Sequence, residues 1–221
     1  MIYKEYIYDD KVSPLGLSNN IWHFDAILKN INIKELNLFL LQLEKELLKK
    51  NPMNDGGTGL SNGVTSRYEY YNLLKQDHNE IRNLEEQIKI VLKTFLNFKK
   101  IYCNKIYILC WFNVLRKNEK INMHRHVPIH EMHYSCVSGH INTTANNTST
   151  FYTDLSEKTQ IEVCNELGKI TLFPSYIPHF TNENLTDNER ISIAFDVHFN
   201  SDYCNKEYLD KGIIKEICMN Y

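Results

Sequence analysis

The hydrophobic period of this chain changes once, near residue 101, and that change constrains the fold more than any other feature. Before it, "NIKELNLFLLQLEKELLKKNP" (residues 32–52) spaces Leu36, Leu38, Leu40, Leu41, Leu43, Leu47 and Leu48 along a helical stripe that Pro52 ends. A second stretch, "DHNEIRNLEEQIKIVLKTFLNFKK" (77–100), repeats Ile81, Leu84, Ile88, Val91, Phe95 and Phe98 at helical intervals. Beyond residue 101, "KIYILCWFNVLRK", "YSCVSGHINT", "STFYTD", "GKITLFPS" and "RISIAFDVHF" are short, β-branched and aromatic, with polar turns between them. Helices first, then strands with no helix among them, predict a mainly β, α+β domain. The expected architecture is an antiparallel sandwich or barrel with the N-terminal helices packed on its outer face. The polar stretch "NTTANNTST" (142–150) is expected to be a mobile connection between strands.

A chain of 221 residues suits one domain. Residues 1–100 would form a mostly helical region supporting the sheet, 101–200 the β core, and 201–221 a C-terminal extension. A hydrophobic content of 43% with 12% aromatic residues argues against disorder. The net charge of −2, with its basic residues scattered, argues against a nucleic-acid partner. No stretch reaches the roughly 18 apolar residues of a membrane span. The start, "MIYKEYIYDD", lacks the pattern of a signal peptide. The six cysteines show no C-x-x-C spacing. A cytoplasmic protein with reduced thiols is the expectation.

The chemistry concentrates in "INMHRHVPIHEMHYS" (121–135), which holds four of the nine histidines: His124, His126, His130 and His133. Residues two apart in a strand share a face, so His124 and His126 can offer two imidazoles to one metal ion. A His-rich surface loop is the plainer alternative. His179, leaving a tight turn after "GKITLFP", is a candidate third ligand or an ordinary loop histidine. In "RISIAFDVHF", Ile191, Ile193, Phe195, Val197 and Phe199 form one face, and Arg190, Ser192, Ala194, Asp196 and His198 the other. If the apolar face packs under the helices, Arg190 lines the interior and needs an anion. A dicarboxylate would satisfy it, with Ser192 adding a hydroxyl. On an edge strand Arg190 would simply reach solvent.

Together, "WFNVLRKNEKINMHRH", "YSCVSGHI", "GKITLFPSYIPHFTNEN" and "RISIAFDVHF" resemble the Fe(II)- and 2-oxoglutarate-dependent oxygenases. Within them the likeness is to a bacterial and phage branch with W-x-N-V, H-x-H, L-F-P-S-x-x-x-H and R-I-S blocks. It covers roughly residues 105–200. The resemblance implies a double-stranded β-helix, or jelly roll, with iron at its open end. It implies His124 and His179 as Fe(II) ligands, and Arg190 with Ser192 as the holders of the distal carboxylate of 2-oxoglutarate. Asn113 would hydrogen-bond the cosubstrate or substrate. The superfamily's common motif is H-x-D, and here His126 stands at the carboxylate position, so the site is either three-histidine or completed by Glu131. His130, His133 and His140 would line the entrance or lie on the surface.

The activity so implied is oxidative decarboxylation of 2-oxoglutarate by O2, coupled to hydroxylation of a small molecule, amino acid or peptide. A cupin-type metalloprotein is the alternative, because Asn118-x5-His124-x-His126-x4-Glu131-x7-Gly139 and Gly168-x5-Pro174-x4-His179 lie close to the two cupin motifs. A non-catalytic jelly-roll binding module is a third reading. A buried Arg190 would separate the oxygenase from the cupin.

Overall fold

Two strands precede the helices, which the helical reading of residues 1–100 did not anticipate: β1 (Ile2–Tyr6) and β2 (Ile21–Ile27). Both are short and mix apolar with polar residues, so neither stands out from its surroundings by composition. The computed structural model describes residues 1–6, 21–50, 58–60, 63–127 and 137–219.

Helix α1 (Ile33–Lys50) buries Leu36, Leu40, Leu43 and Leu47, the i, i+4, i+7, i+11 subset of the leucine stripe; Leu38 faces outward at 63% exposure. Asn32 Oδ1 accepts from the Glu35 backbone N–H (3.2 Å) at its start. Helix α2 (Asn79–Lys99) is capped by His78, whose Nδ1 accepts from Glu80 N–H, and it ends at Lys100 in the left-handed conformation, φ 57°. It buries Ile81, Leu84, Ile88, Val91 and Phe95, while Phe98 remains largely exposed beside Tyr3. Trp22 and Phe24 of β2 pack on Phe95, with ring centroids 5.1 and 5.7 Å away.

The remaining strands are β3 (Lys105–Leu115), β4 (Val137–Asn142), β5 (Ser149–Thr153), β6 (Gln160–Cys164), β7 (Lys169–Pro174), β8 (His179–Thr181), β9 (Arg190–His198) and β10 (Lys215–Cys218), with a short helix α3 (Lys206–Asp210) before the last. They form two antiparallel sheets arranged as a jelly roll. The seven-stranded sheet has the order β1-β2-β7-β4-β9-β3-β10, and the three-stranded sheet the order β6-β5-β8. Residues 201–219 are therefore more than an extension: β10 pairs with β3 along Ile108–Lys105 and covers that edge.

Strand β9 sits inside the large sheet between β4 and β3, and its two faces divide the molecule. Ile191, Ile193, Phe195 and Val197 join the main core under the helices. Arg190, Ser192, Ala194 and Asp196 face a cavity between the sheets. Opposite Phe195 in the register stands Gly139 of β4; a Cβ there would lie 2.3 Å from Phe195 Cζ, so the ring occupies the space of the missing side chain.

The connection 142–150 is not the mobile loop its composition suggested. Asn142, Thr143 and Thr148 are buried. Thr143 and Thr144 both donate their N–H to Ile191 O (3.1 and 3.2 Å), and Asn146 Nδ2 donates to Asn188 O. Asn146 and Asn147 take φ of 49° and 53°, which asparagine tolerates better than most residues. The Thr143, Thr144 and Thr148 hydroxyls likewise donate to the backbone carbonyls of Ile191, Glu189 and Ala145. Among the described residues, five cysteines are free thiols, and no helix is long and apolar enough to cross a membrane.

Candidate metal centre

His124 and His179 are paired through the backbone: each N–H donates to the other's carbonyl, at 3.0 and 2.9 Å, in an isolated antiparallel bridge. That arrangement puts two side chains next to each other on one face, and the imidazole centroids lie 4.3 Å apart. His126, two residues on, is anchored by its N–H to Ser175 O (3.0 Å) and brings its ring to 5.3 Å from His124 and 5.0 Å from His179. The Pro174–Ile177 turn, closed by Ile177 N–H to Pro174 O (3.1 Å), delivers His179 into the same space. One ring nitrogen from each of His124, His126 and His179 lies within 4.8 Å of the others.

The outward nitrogens identify which atoms converge. His124 Nδ1 is 2.9 Å from Asn122 O, and His179 Nδ1 is 3.0 Å from Ile177 O. A carbonyl only accepts, so both Nδ1 atoms carry the hydrogen and both Nε2 atoms keep a free lone pair. His126 Nδ1 lies 2.6 Å from Asp196 Oδ1. Ser138 Oγ donates to the same carboxylate oxygen at 2.5 Å. Burial lowers the His124 pKa to about 4, with the neighbouring His126 adding to the effect; burial followed by His124 and His126 drives His179 well below its usual value. Both rings are therefore unprotonated at neutral pH, the form in which imidazole binds metal. Burial would push the Asp196 carboxyl up, but the His126 ring and the His126 and Ser138 hydrogen bonds outweigh it and hold the group below the ordinary carboxylate value. Three imidazoles oriented from behind fit a divalent transition metal ion.

The same cavity, of about 160 Å³, reaches Arg190, Ser192 and Asn113. Arg190 is 1% exposed, and its Nε and Nη1 are buried without a hydrogen-bond partner. Burial lowers its pKa to about 10, still far above neutrality, so an uncompensated guanidinium faces the cavity. Asn113 Nδ2 donates to Ser192 Oγ (3.2 Å), while Asn113 Oδ1 is buried without a partner. The six residues singled out from the sequence thus surround one chamber. Glu131, His130 and His133 lie outside the described residues.

His140 is neither at the entrance nor on the surface. Strand β4 turns it to the same side as Ser138, and it lines the chamber with its Nδ1 3.3 Å from Tyr152 Oη. Burial, and then the Arg190 charge, lower its pKa to about 3. Sequence reasoning also gave no role to Asp196, Ser138, Trp111 or Tyr68, all of which stand at or beside the chamber. For Asp196 the signal was present, because it shares the polar face of β9 with Arg190 and Ser192.

Solved structures of similar fold, all at low sequence identity, include prolyl hydroxylases. A prolyl-4-hydroxylase from Pseudomonas putida is 9% identical at a TM-score of 0.55, over 81% of this chain and 93% of that one. AviO1 from Streptomyces viridochromogenes is 12% identical at 0.57, over 81% and 90%. A prolyl hydroxylase from Trichoplax adhaerens, in complex with a hypoxia-inducible-factor peptide fragment, is 12% identical at 0.52, over 79% and 83%. No curated protein matches this sequence. Residues 109–196, which run from β3 to Asp196 and include all six residues of the chamber named from the sequence, match the model of the family described as "Putative 2OG-Fe(II) oxygenase".

Proposed function

We propose that this protein is an Fe(II)- and 2-oxoglutarate-dependent oxygenase that hydroxylates a small molecule, an amino acid or a peptide. One observation carries the reading: three convergent imidazoles share a cavity with a fully buried arginine that lacks an anionic partner. A bare metal site does not need that arginine, whereas a metal site that also takes a dicarboxylate does. The family match and the prolyl hydroxylases among the similar folds support the same reaction class, and the peptide in one of them supports a peptide among the candidate substrates.

In this reading His124, His126 and His179 hold Fe(II) through their free ring nitrogens. Arg190 binds the distal carboxylate of 2-oxoglutarate, Ser192 donates a hydroxyl hydrogen bond to it, and Asn113 orients Ser192. When bound, Fe(II) with 2-oxoglutarate supplies O2 activation, with succinate and CO2 as the products of the cosubstrate. Phe173, Trp111 and Ala194 give the chamber apolar walls that exclude water and orient the bound molecules. Tyr68, Arg125 and Phe180 also line the cavity and are the candidate contacts for the substrate.

The test is an anaerobic titration of Fe(II)-loaded protein with 2-oxoglutarate, read by its visible charge-transfer band, followed by a succinate assay against a metabolite and peptide panel. Arg190→Ala keeps its iron but loses about 2–5 kcal/mol of cosubstrate binding, roughly 30- to several-thousand-fold. Arg190→Lys recovers part of that, since an ammonium lacks the planar fork. Wild-type protein that binds iron, shows no band and makes no succinate would overturn the reading in favour of a cupin.

A further inference from the structure

We propose that Asp196 is a positioning residue that supplies the metal centre with its negative charge through His126. The inference rests on the metal-binding reading above. Where the superfamily's common motif has a carboxylate ligand, this chain has an imidazole, so a divalent ion held by three neutral rings retains both its charges. Arg190 adds a third positive charge in the same cavity, the other lining cation, Arg125, being paired with Glu157 at 3.2 Å, and the two carboxylates of 2-oxoglutarate cancel only two of the three. Asp196 cancels the remainder, and it is the one carboxylate among the described residues lining the cavity.

The geometry is built for that task. Side-chain exposure is 7% for His126 and 16% for Asp196, so the 2.6 Å contact between Nδ1 and Oδ1 is shielded from water. Ser138 is the register partner of Asp196 across β4 and β9, and the ladder fixes its hydroxyl 2.5 Å from the same oxygen. Two donors on one carboxylate oxygen, at these distances, form a charge-assisted cluster. Asp196 does not itself belong to the set of converging ligand atoms. It acts from behind the ring: it fixes the His126 tautomer, aims Nε2 into the cavity and makes that nitrogen a stronger donor. In effect the carboxylate of the common triad has moved one imidazole further from the ion.

Co(II) binding to the full chain, by competition with a chromophoric chelator and by the visible d–d spectrum, tests this without turnover. Asp196→Asn keeps the shape and removes the charge, and it should weaken Co(II) binding 10- to 100-fold and shift the d–d bands. In a His126→Asp background the charge is restored directly at the ligand position, and Asp196→Asn should there change affinity by less than about threefold. Ser138→Ala, which loosens the carboxylate without discharging it, should give a smaller loss that also vanishes in the His126→Asp background; it serves if Asp196→Asn folds poorly. Unchanged affinity and spectrum in Asp196→Asn, or an equal loss in both backgrounds, overturns the inference and leaves the metal centre standing. Wild-type protein that takes up no Co(II) overturns the metal centre itself.

Discussion

Arg190→Met should make the ligand-free protein more stable while abolishing 2-oxoglutarate binding. The side chain is 1% exposed, two of its nitrogens have no partner, and burial lowers its pKa from the ordinary guanidinium value to about 10. At about 1.36 kcal/mol per pKa unit, holding that charge in place costs on the order of 3 kcal/mol. The depressed value belongs to a base, so stability rises as pH climbs from about 10 towards the unfolded guanidinium value, and at neutral pH the whole cost is present. Methionine spans much of the same length, carries no charge and fills the site with apolar atoms. For a chain of this size each kcal/mol is worth about 2–4 °C, so the metal-free variant should melt roughly 6–12 °C above wild type. The assay is thermal unfolding in buffer free of carboxylate, phosphate and sulfate, since any of these could pair with the guanidinium. Metal and 2-oxoglutarate at a hundred times the Kd should then raise wild type by about 2.7 kcal/mol more than the metal alone does, and the variant by nothing further. A variant that melts below ligand-free wild type would show that the arginine is already compensated and would remove the reason for assigning it an anion.

His179→Leu should abolish metal uptake while keeping most of the fold; leucine is the better probe than alanine because the ring packs 4.7 Å from Phe173, and near-normal metal content would refute the ligand assignment. Gly139→Ala forces a methyl group into the Phe195 ring and should lower the unfolding free energy by about 1–3 kcal/mol, read as a lower urea midpoint, with Phe195→Leu restoring part of it; an unchanged midpoint would show that the ring moves freely. Acid should destabilise the metal-free protein as pH falls below the unfolded histidine value of about 6.5, because His140 and His124 take up protons in the unfolded chain but resist them when folded, down to about 3 and 4. At pH 4.5 each imidazole should remove roughly 1–3 kcal/mol, discounted for partial exposure. Urea unfolding from pH 7 to 4.5 checks this, and a His140→Phe variant with an undiminished pH slope would contradict it.

What the sequence showed of this site depended on how far each fact reaches along the chain. The period-2 alternation of "RISIAFDVHF" is local, and it placed Arg190, Ser192 and Asp196 on one face before any partner strand was known. The same alternation in "SGHIN" puts His140 on one face with Ser138 and Asn142 and opposite the apolar Ile141, so its place in the chamber is legible from the strand itself. Strands β1 and β2 were harder to see. Strand β2 gains its identity from pairing with β7, more than 140 residues away, and β1 from pairing with β2, and no local rule contains the first of those pairings. The 142–150 connection misled for a related reason: a run of Asn and Thr reads as solvated until Ile191 and Asn188 provide backbone partners for it. The departure of H-x-H from H-x-D belongs to the same class. Read locally, His126 is an anion lost from the triad, and a carboxylate a few residues along is the natural candidate to replace it. The sheet offers a different candidate, because the β4–β9 register and the Ser175 anchor bring residues 126, 138 and 196 together across 70 positions. A charge missing from a motif is therefore better sought on the strands that face it than in the sequence beside it.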